Sequence, residues 1–251
     1  MKTKLRPGWV LALLCTVLFF YGFYLGGVQL VISEVSREYG QNAAGMGGLV
    51  AAQHVAAVVL PVVLGALADR IGKQPVLCIF AAVFAVGCFL AGLSKSLGVY
   101  VIGAVCVGAG YSVCESVSSA VLSELDAEKG ARYINLSQAL LSLGAVISPF
   151  LVQWLQKSRH ASWRLPFLIC AAAYTLLALL LLLTVFPKRQ TVTQREAKAR
   201  TNFFASRAFR LLFFSILLYV GLENGISYFA ESLFSVRLSA GDLAAAAISA
   251  Y

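Results

Sequence analysis

Glu115 stands inside a long apolar run, GAGYSVCESVSSAVLSEL, with hydroxyl-bearing neighbours at helical spacing. On a helix, Tyr111, Ser112, Glu115, Ser118 and Ser119 share one face, a polar stripe in an otherwise apolar segment. An ionisable group in such surroundings is expensive unless it faces a cavity or finds a partner. Desolvation favours the neutral form of a carboxyl, so one placed there can take up and release a proton near neutral pH. Two readings stand: a coupling proton site on an aqueous path, or a protonated Glu hydrogen-bonded to a neighbouring helix.

Other polar residues recur at similar intervals. Asn135, Gln138 and Ser142 lie three and four residues apart, with Gln153 further on. Their amides can give and accept hydrogen bonds, as a polyhydroxylated ligand requires, or can join one helix to another. Gln53 and His54 interrupt a second apolar run; Gln53 is a candidate ligand contact, and His54 is a proton site or a neutral donor. In the first run Phe19, Phe23, Gly26 and Gln29 share a broad face, from which Gln29 could reach a cavity and the rings could stack on a ligand or simply pack. Tyr219, Glu223, Ser227 and Glu231 follow at intervals of four, with Asn224 and Tyr228 beside them. Glu223 and Asn224 are expected to face a central cavity, and Glu231 to lie there or in the outer interface. No nucleophile–base pairing, metal-ligand cluster or phosphate-cradling glycine loop is evident, so neither an enzyme nor a cofactor or metal site is expected.

The elements that must position these residues are membrane spans. Hydrophobic residues make up 60% of the 251, charged residues 12%, and mean hydropathy is +0.83, which excludes a soluble globule. A span needs about 20 apolar residues. Charges and Gly/Pro punctuation divide the chain into seven, roughly 8–32, 45–68, 76–95, 98–123, 133–155, 165–186 and 208–235, with an eighth beginning near Asp242. The net charge of +9 sits in the gaps between runs rather than along one face, which speaks for topology and against nucleic acid. With the N-terminus in the cytoplasm, fourteen Lys and Arg fall inside and six outside, three of the six in the loop KSRHASWR. Lys2, Lys4 and Arg6 imitate a secretory leader, but the run from Gly8 to Ile32 is long for one and lacks a cleavage site. All six cysteines lie within apolar runs and are expected to pack as small apolar residues. Gly144 and Pro149 look like close-packing and kink positions. Residues 187–207 form a basic, polar linker and the expected boundary between 1–186 and 208–251.

Residues 65–77, GALADRIGKQPVL, form a charged hinge between two of these runs. Gly65, Leu67, Ala68, Asp69, Arg70, Gly72 and Lys73 together resemble the signature hairpin of the major facilitator superfamily. That resemblance implies an all-α membrane protein of the major facilitator fold, here the N-terminal six-helix half, built of two inverted three-helix repeats, plus the start of the second half. It also implies a gating hairpin of Gly65, Asp69, Arg70, Gly72 and Lys73. Gly65 would admit a close helix, Asp69 would face a helix N-terminus, and Arg70 would pair with an acid such as Glu124. A turn that only fixes topology is the alternative. GAGYSVCES, NLSQALLSLGAVISPFL and YVGLEN further resemble the fucose permease-like sugar:proton symporters. This implies proton coupling at Glu115. The chain departs from fucose permease itself in having no acid between Gly8 and Ile32; Gln29 lies nearest the expected place.

The expected function is therefore secondary transport of a small polar solute, a sugar by preference, with protons, across a cell membrane that the chain crosses many times. Glu115 would carry the proton, and Gln29, Gln53, Asn135, Gln138, Glu223 and Asn224 would line the substrate site. The lipid bilayer is the surrounding partner, and the C-terminal half is needed to complete transport, so the 251-residue chain alone is not expected to transport. The alternatives are an exporter of drugs or metabolites and a truncated, non-transporting membrane protein.

Overall fold

A computed structural model describes residues 3–4, 7–126, 128–159, 162–186 and 206–237, with the backbone alone described for 61–70, 227–237 and a few single positions. Seven helices account for nearly all of it: α1 (Pro7–Glu38), α2 (Ala43–Ile71), α3 (Lys73–Gly92), α4 (Leu97–Leu125), α5 (Gly130–Arg159), α6 (Leu165–Leu183) and α7 (Arg207–Arg237). They agree with the seven expected spans to within a few residues. The eighth, near Asp242, lies outside the described residues, as does most of the linker. Over their described residues α1, α3, α4, α5 and α6 are each long and apolar enough to cross a membrane. Two-residue strands β1 (Thr3–Lys4) and β2 (Thr184–Val185) pair in parallel at one end of the bundle.

Lipid offers no hydrogen-bond partners, so apolar runs must satisfy their backbones as helices, and the breaks fall where the sequence changes character. Gly40, at φ 63, ends the chain's first long run, and Gly72, at φ 100, turns it between α2 and α3. Ser96 caps α4 by accepting from the Val99 amide, and Pro166 sits in the first turn of α6. Pro149 lies within α5 without ending it.

The helices interlock by a simple rule. α1 packs mainly on α5, α2 on α4, and α3 on both α4 and α6. Exchanging α1 with α4, α2 with α5 and α3 with α6 turns the α1–α5 contact into α4–α2 and leaves α3–α6 unchanged, as two repeated three-helix units would, while the extensive α3–α4 contact corresponds to a much smaller α1–α6 one. Individual residues keep the same relation at a constant offset along the chain. Tyr21 of α1 stacks on Tyr111 of α4 with centroids 4.4 Å apart and planes 12° apart. Phe84 of α3 stacks on Tyr174 of α6 at 3.9 Å.

Burial between helices in lipid gains little from the hydrophobic effect, so close van der Waals contact has to hold them. Glycine makes that possible. A Cβ on Gly22 or Gly26 would collide with the backbone carbonyls of Leu141 and Ala145 on α5, and one on Gly144 of α5 would meet Phe19 and Phe23 of α1. Gly108 of α4 lies in the same way on the Gln53 backbone of α2. The close-packing role expected of Gly144 is thus observed. The cysteines other than Cys106 are buried, and several thiols donate across helices, Cys78 to Ala178 O at 3.5 Å and Cys170 to Phe20 O at 3.6 Å.

The two ends of the bundle are closed reciprocally. At the Glu38 end, Arg164 at the start of α6 donates to Ser94 O just beyond α3, at 2.9 Å, and pairs with Glu38 at 2.7 Å. Its guanidinium lies 4.3 Å over the Trp163 ring, and the Trp163 indole donates to Glu38. At the opposite end, Gln74 at the start of α3 donates to Leu181 O at 2.7 Å and to Thr184 O, and accepts from the Phe186 amide at 3.2 Å. Each of these side chains answers carbonyls that the end of the other helix leaves open. α7 stands apart: its main partner is α1, and most of its described side chains are exposed.

Candidate site on helices α1, α4 and α5

Glu115 lies two-thirds of the way along α4, half-buried, with the half-buried Gln138 of α5 as its neighbour. The two candidates come together although α4 and α5 do most of their packing elsewhere, α4 on α3 and α2, α5 on α1. Tyr111, one turn before Glu115 on the same helix face, is buried and stacks on Tyr21 of α1. Helices α1, α4 and α5 thus converge on one carboxyl, one amide and two phenols.

The rest of the expected polar stripe is used differently. Ser112 and Ser118 are buried, and Ser112 Oγ donates to Ala109 O of its own helix at 3.3 Å. Ser118 Oγ has no partner among the described residues. Ser142 of α5 bonds back to Gln138 O at 3.1 Å. Short hydroxyl side chains on helices often turn inward in this way, which takes them out of a ligand-facing surface.

A second buried bridge lies further along. Tyr24 Oη donates to Gln53 Oε1 at 3.0 Å, joining α1 to α2. Gln53 is 4% exposed and its Nε2 has no partner among the described residues. Tyr24 and Glu115 occupy nearly equivalent places in α1 and α4, each within one turn of its partner in the Tyr21–Tyr111 stack. His54 is half-buried and its Nδ1 lies 2.9 Å from Val50 O, a contact within α2.

Gln29 is half-buried on α1, Asn135 is exposed on α5, and Glu223 is exposed on α7; the structure does not bring these three to Glu115. Gly65, Asp69, Arg70 and Asn224 lie outside the described side chains, as do Ser227, Tyr228 and Glu231. Of the hairpin, Gly72 adopts the left-handed backbone that favours glycine, and Lys73 pairs with Glu124 at 2.7 Å, tying the start of α3 to the end of α4. Glu124 is also the acid expected for Arg70, whose side chain lies outside those described.

Sequence reasoning singled out Tyr111 but not Tyr21, Gln74, Arg164 or Glu38. The signal that could have found them is the fixed offset relating Tyr21 to Tyr111, Phe84 to Tyr174, Gln74 to Arg164, and the Ser-Glu pair 33–34 to 123–124. A comparison of the chain with itself would bring this out.

A family model described as Major Facilitator Superfamily matches residues 12–251. The quinolone resistance protein NorA of Staphylococcus aureus is 22% identical over 225 residues, which is 88% of this chain and 57% of that protein. Among solved structures, a D-xylose-proton symporter superposes with a TM-score of 0.69 at 15% identity, covering 94% of this chain and 63% of that one. The transporter FucP, in an outward conformation, superposes with a TM-score of 0.68 at 19% identity over 94% and 66%. The chain spans about half the length of the curated relatives it matches.

Proposed function

The chain belongs to the Major Facilitator Superfamily, and from that premise we propose that it forms the first six helices and the beginning of the second half of a transporter moving a small polar solute, a sugar by preference, together with protons. The observation that carries this reading is Glu115 itself, half-buried in α4 one turn beyond the Tyr21–Tyr111 stack. A carboxyl held in the membrane by neutral partners, with no ion pair among the described residues, can exist with and without its proton. Cycling between those forms is what coupling demands. The fold shared with a D-xylose-proton symporter supports the choice of solute class.

In this reading Glu115 carries the coupling proton. Asn135, Gln138 and Gln29 face the solute from the first half, Gln53 backs them from beneath, and Glu223 and Asn224 approach from the second. Gly65, Asp69, Arg70, Gly72 and Lys73 form a hairpin whose contacts change between states. Residues 1–186, the linker 187–207 and the segment from 208 onward are its units, the N-terminus faces the cytoplasm, and helices beyond α7 complete the cavity. Export of drugs is the second reading, favoured by the similarity to a quinolone resistance protein over most of this chain.

The experiment is Glu115→Gln in the full-length protein, reconstituted into vesicles with an imposed pH gradient and offered D-xylose, L-fucose and a quinolone in turn. Proton-driven accumulation should be lost, while exchange of labelled for unlabelled solute without a gradient continues. Accumulation at the wild-type rate removes Glu115 from the coupling role. Efflux of the quinolone with no sugar uptake selects the second reading.

A further inference from the structure

Gln53 is fastened on two sides, yet its amide is answered at one end only. Tyr24 Oη of α1 donates to Gln53 Oε1 at 3.0 Å, and the Gln53 carbonyl lies against Gly108 of α4, where a Cβ would collide with it. The other end of the amide, Nε2, is buried with no partner among the described residues. Turning the amide over would offer Tyr24 the NH2 and leave the oxygen unmet instead, so either orientation leaves one end unanswered. Nearly every buried polar group in a native protein has a partner, and one that lacks it needs a reason.

We propose that the Tyr24–Gln53 bridge is a latch for the first part of α2, residues 43–60: half made in the position seen here, and completed in a second position where Nε2 also finds an acceptor. This rests on the reading of the chain as part of a transporter, whose cycle requires its helices to take up more than one arrangement.

The helices around the bridge allow such a movement. Pro61 lies inside α2 and brings no N–H, so the Ala57 carbonyl loses its partner within the helix, and the part before the proline can swing on the part after it. α1 and α2 touch little besides this bond. α4 meets the Gln53 backbone with Gly108, which has no side chain to catch on as α2 shifts. Tyr24, by contrast, is fixed: it is 1% exposed, and its ring stands edge-on to Phe84 of α3 and Phe167 of α6, with centroids 5.4 and 5.7 Å apart. One partner is anchored and the other rides on a jointed helix. The rotatable side chain of Gln53 lets it keep Tyr24 while its backbone moves. A single fixed arrangement would be served better by an apolar pair of the same shape, which leaves nothing unmet.

The test separates a latch from a structural bridge. In Tyr24→Phe/Gln53→Met both polar groups go while the volume stays, so the unfolding midpoint of the full-length protein in lipid should equal or exceed that of wild type. Spin labels at Gly48→Cys, where an added Cβ meets nothing within 4 Å, and at Lys95→Cys, exposed between α3 and α4, report the position of the first part of α2 by double electron–electron resonance. Wild type should give two distances. The double variant should shift their ratio about three- to tenfold toward the position seen here, as the loss of one hydrogen bond made only in the other position requires. Tyr24→Phe removes a bond common to both positions, so it should lower the unfolding midpoint and leave the ratio alone. A double variant that unfolds well below wild type shows the amide to be fully satisfied here, as by a bound water, and overturns the proposal. So does a single distance shared by wild type and double variant, and if the double variant does not fold, an unshifted ratio in Gln53→Met overturns it equally. Two distances in a protein that moves neither sugar nor quinolone would instead defeat the transport reading and leave the latch standing.

Discussion

Substituting Gly22 by alanine should push α5 away from α1. The new Cβ would stand 2.7 Å from the Leu141 carbonyl carbon and 3.1 Å from its Cα, with the carbonyl oxygen closer still, where ordinary contact begins at 3.4 Å. The obstacle is backbone, not a flexible side chain, so α5 has to retreat from α1 by about 1 Å. Overpacking of this kind costs roughly 1–3 kcal/mol. Gly22→Ala should therefore lower stability by about 1–3 kcal/mol in detergent unfolding. Gly8→Ala is the control, since nothing lies within 4 Å of its added methyl. The reasoning is refuted if Gly22→Ala unfolds with Gly8→Ala, because α1 and α5 would then not be in backbone contact.

Two further perturbations address the ends of the bundle. Glu38→Gln leaves Arg164 without its counter-charge and weakens the acceptor for Trp163; both partners are partly exposed, so solvent screening holds the loss to about 1 kcal/mol, and the difference from wild type should shrink at high salt. Gln74→Leu leaves Leu181 O and Thr184 O unanswered and frees the Phe186 amide. Hydrogen exchange at Phe186 should accelerate at least tenfold while amides in the middle of α6 stay protected, and equal protection at Phe186 would show that the glutamine does not hold that turn.

The spans were legible because charge and glycine are scarce in this chain and mark its turns: Gly40, Gly72, Lys73 and Ser96 fall at or beside helix ends. Facing was not. Runs so uniformly apolar carry almost no periodic signal, so Gln53 reads as a cavity residue, yet it is buried against Tyr24. Ser112 reads as part of a polar surface, yet it bonds to its own helix. The acid at Glu115 and the amide at Gln138 were both evident as rarities, but where they stand depends on how α5 leans on α1 through Gly22, Gly26 and Gly144, and a lone glycine in a sequence does not name the carbonyl it will touch. Arg164 looked like a topological charge out of place; its position is explained by Glu38 and by Ser94 O.

The reciprocal caps also bear on how the protein is made. Synthesis runs from the amino end, so α3 is complete while Arg164, which answers Ser94 O, is still unmade, and Gln74 has no carbonyl to hold until Leu181 and Thr184 have been added. Until then Ser94 O has only the Tyr39 hydroxyl, at 3.3 Å, and the Gln74 amide is idle, so the first three helices are held at one end by their own residues and at the other not at all. Insertion of α6 beside α3 strengthens the one end and closes the other in a single event, and a chain halted before Arg164 lacks both contacts.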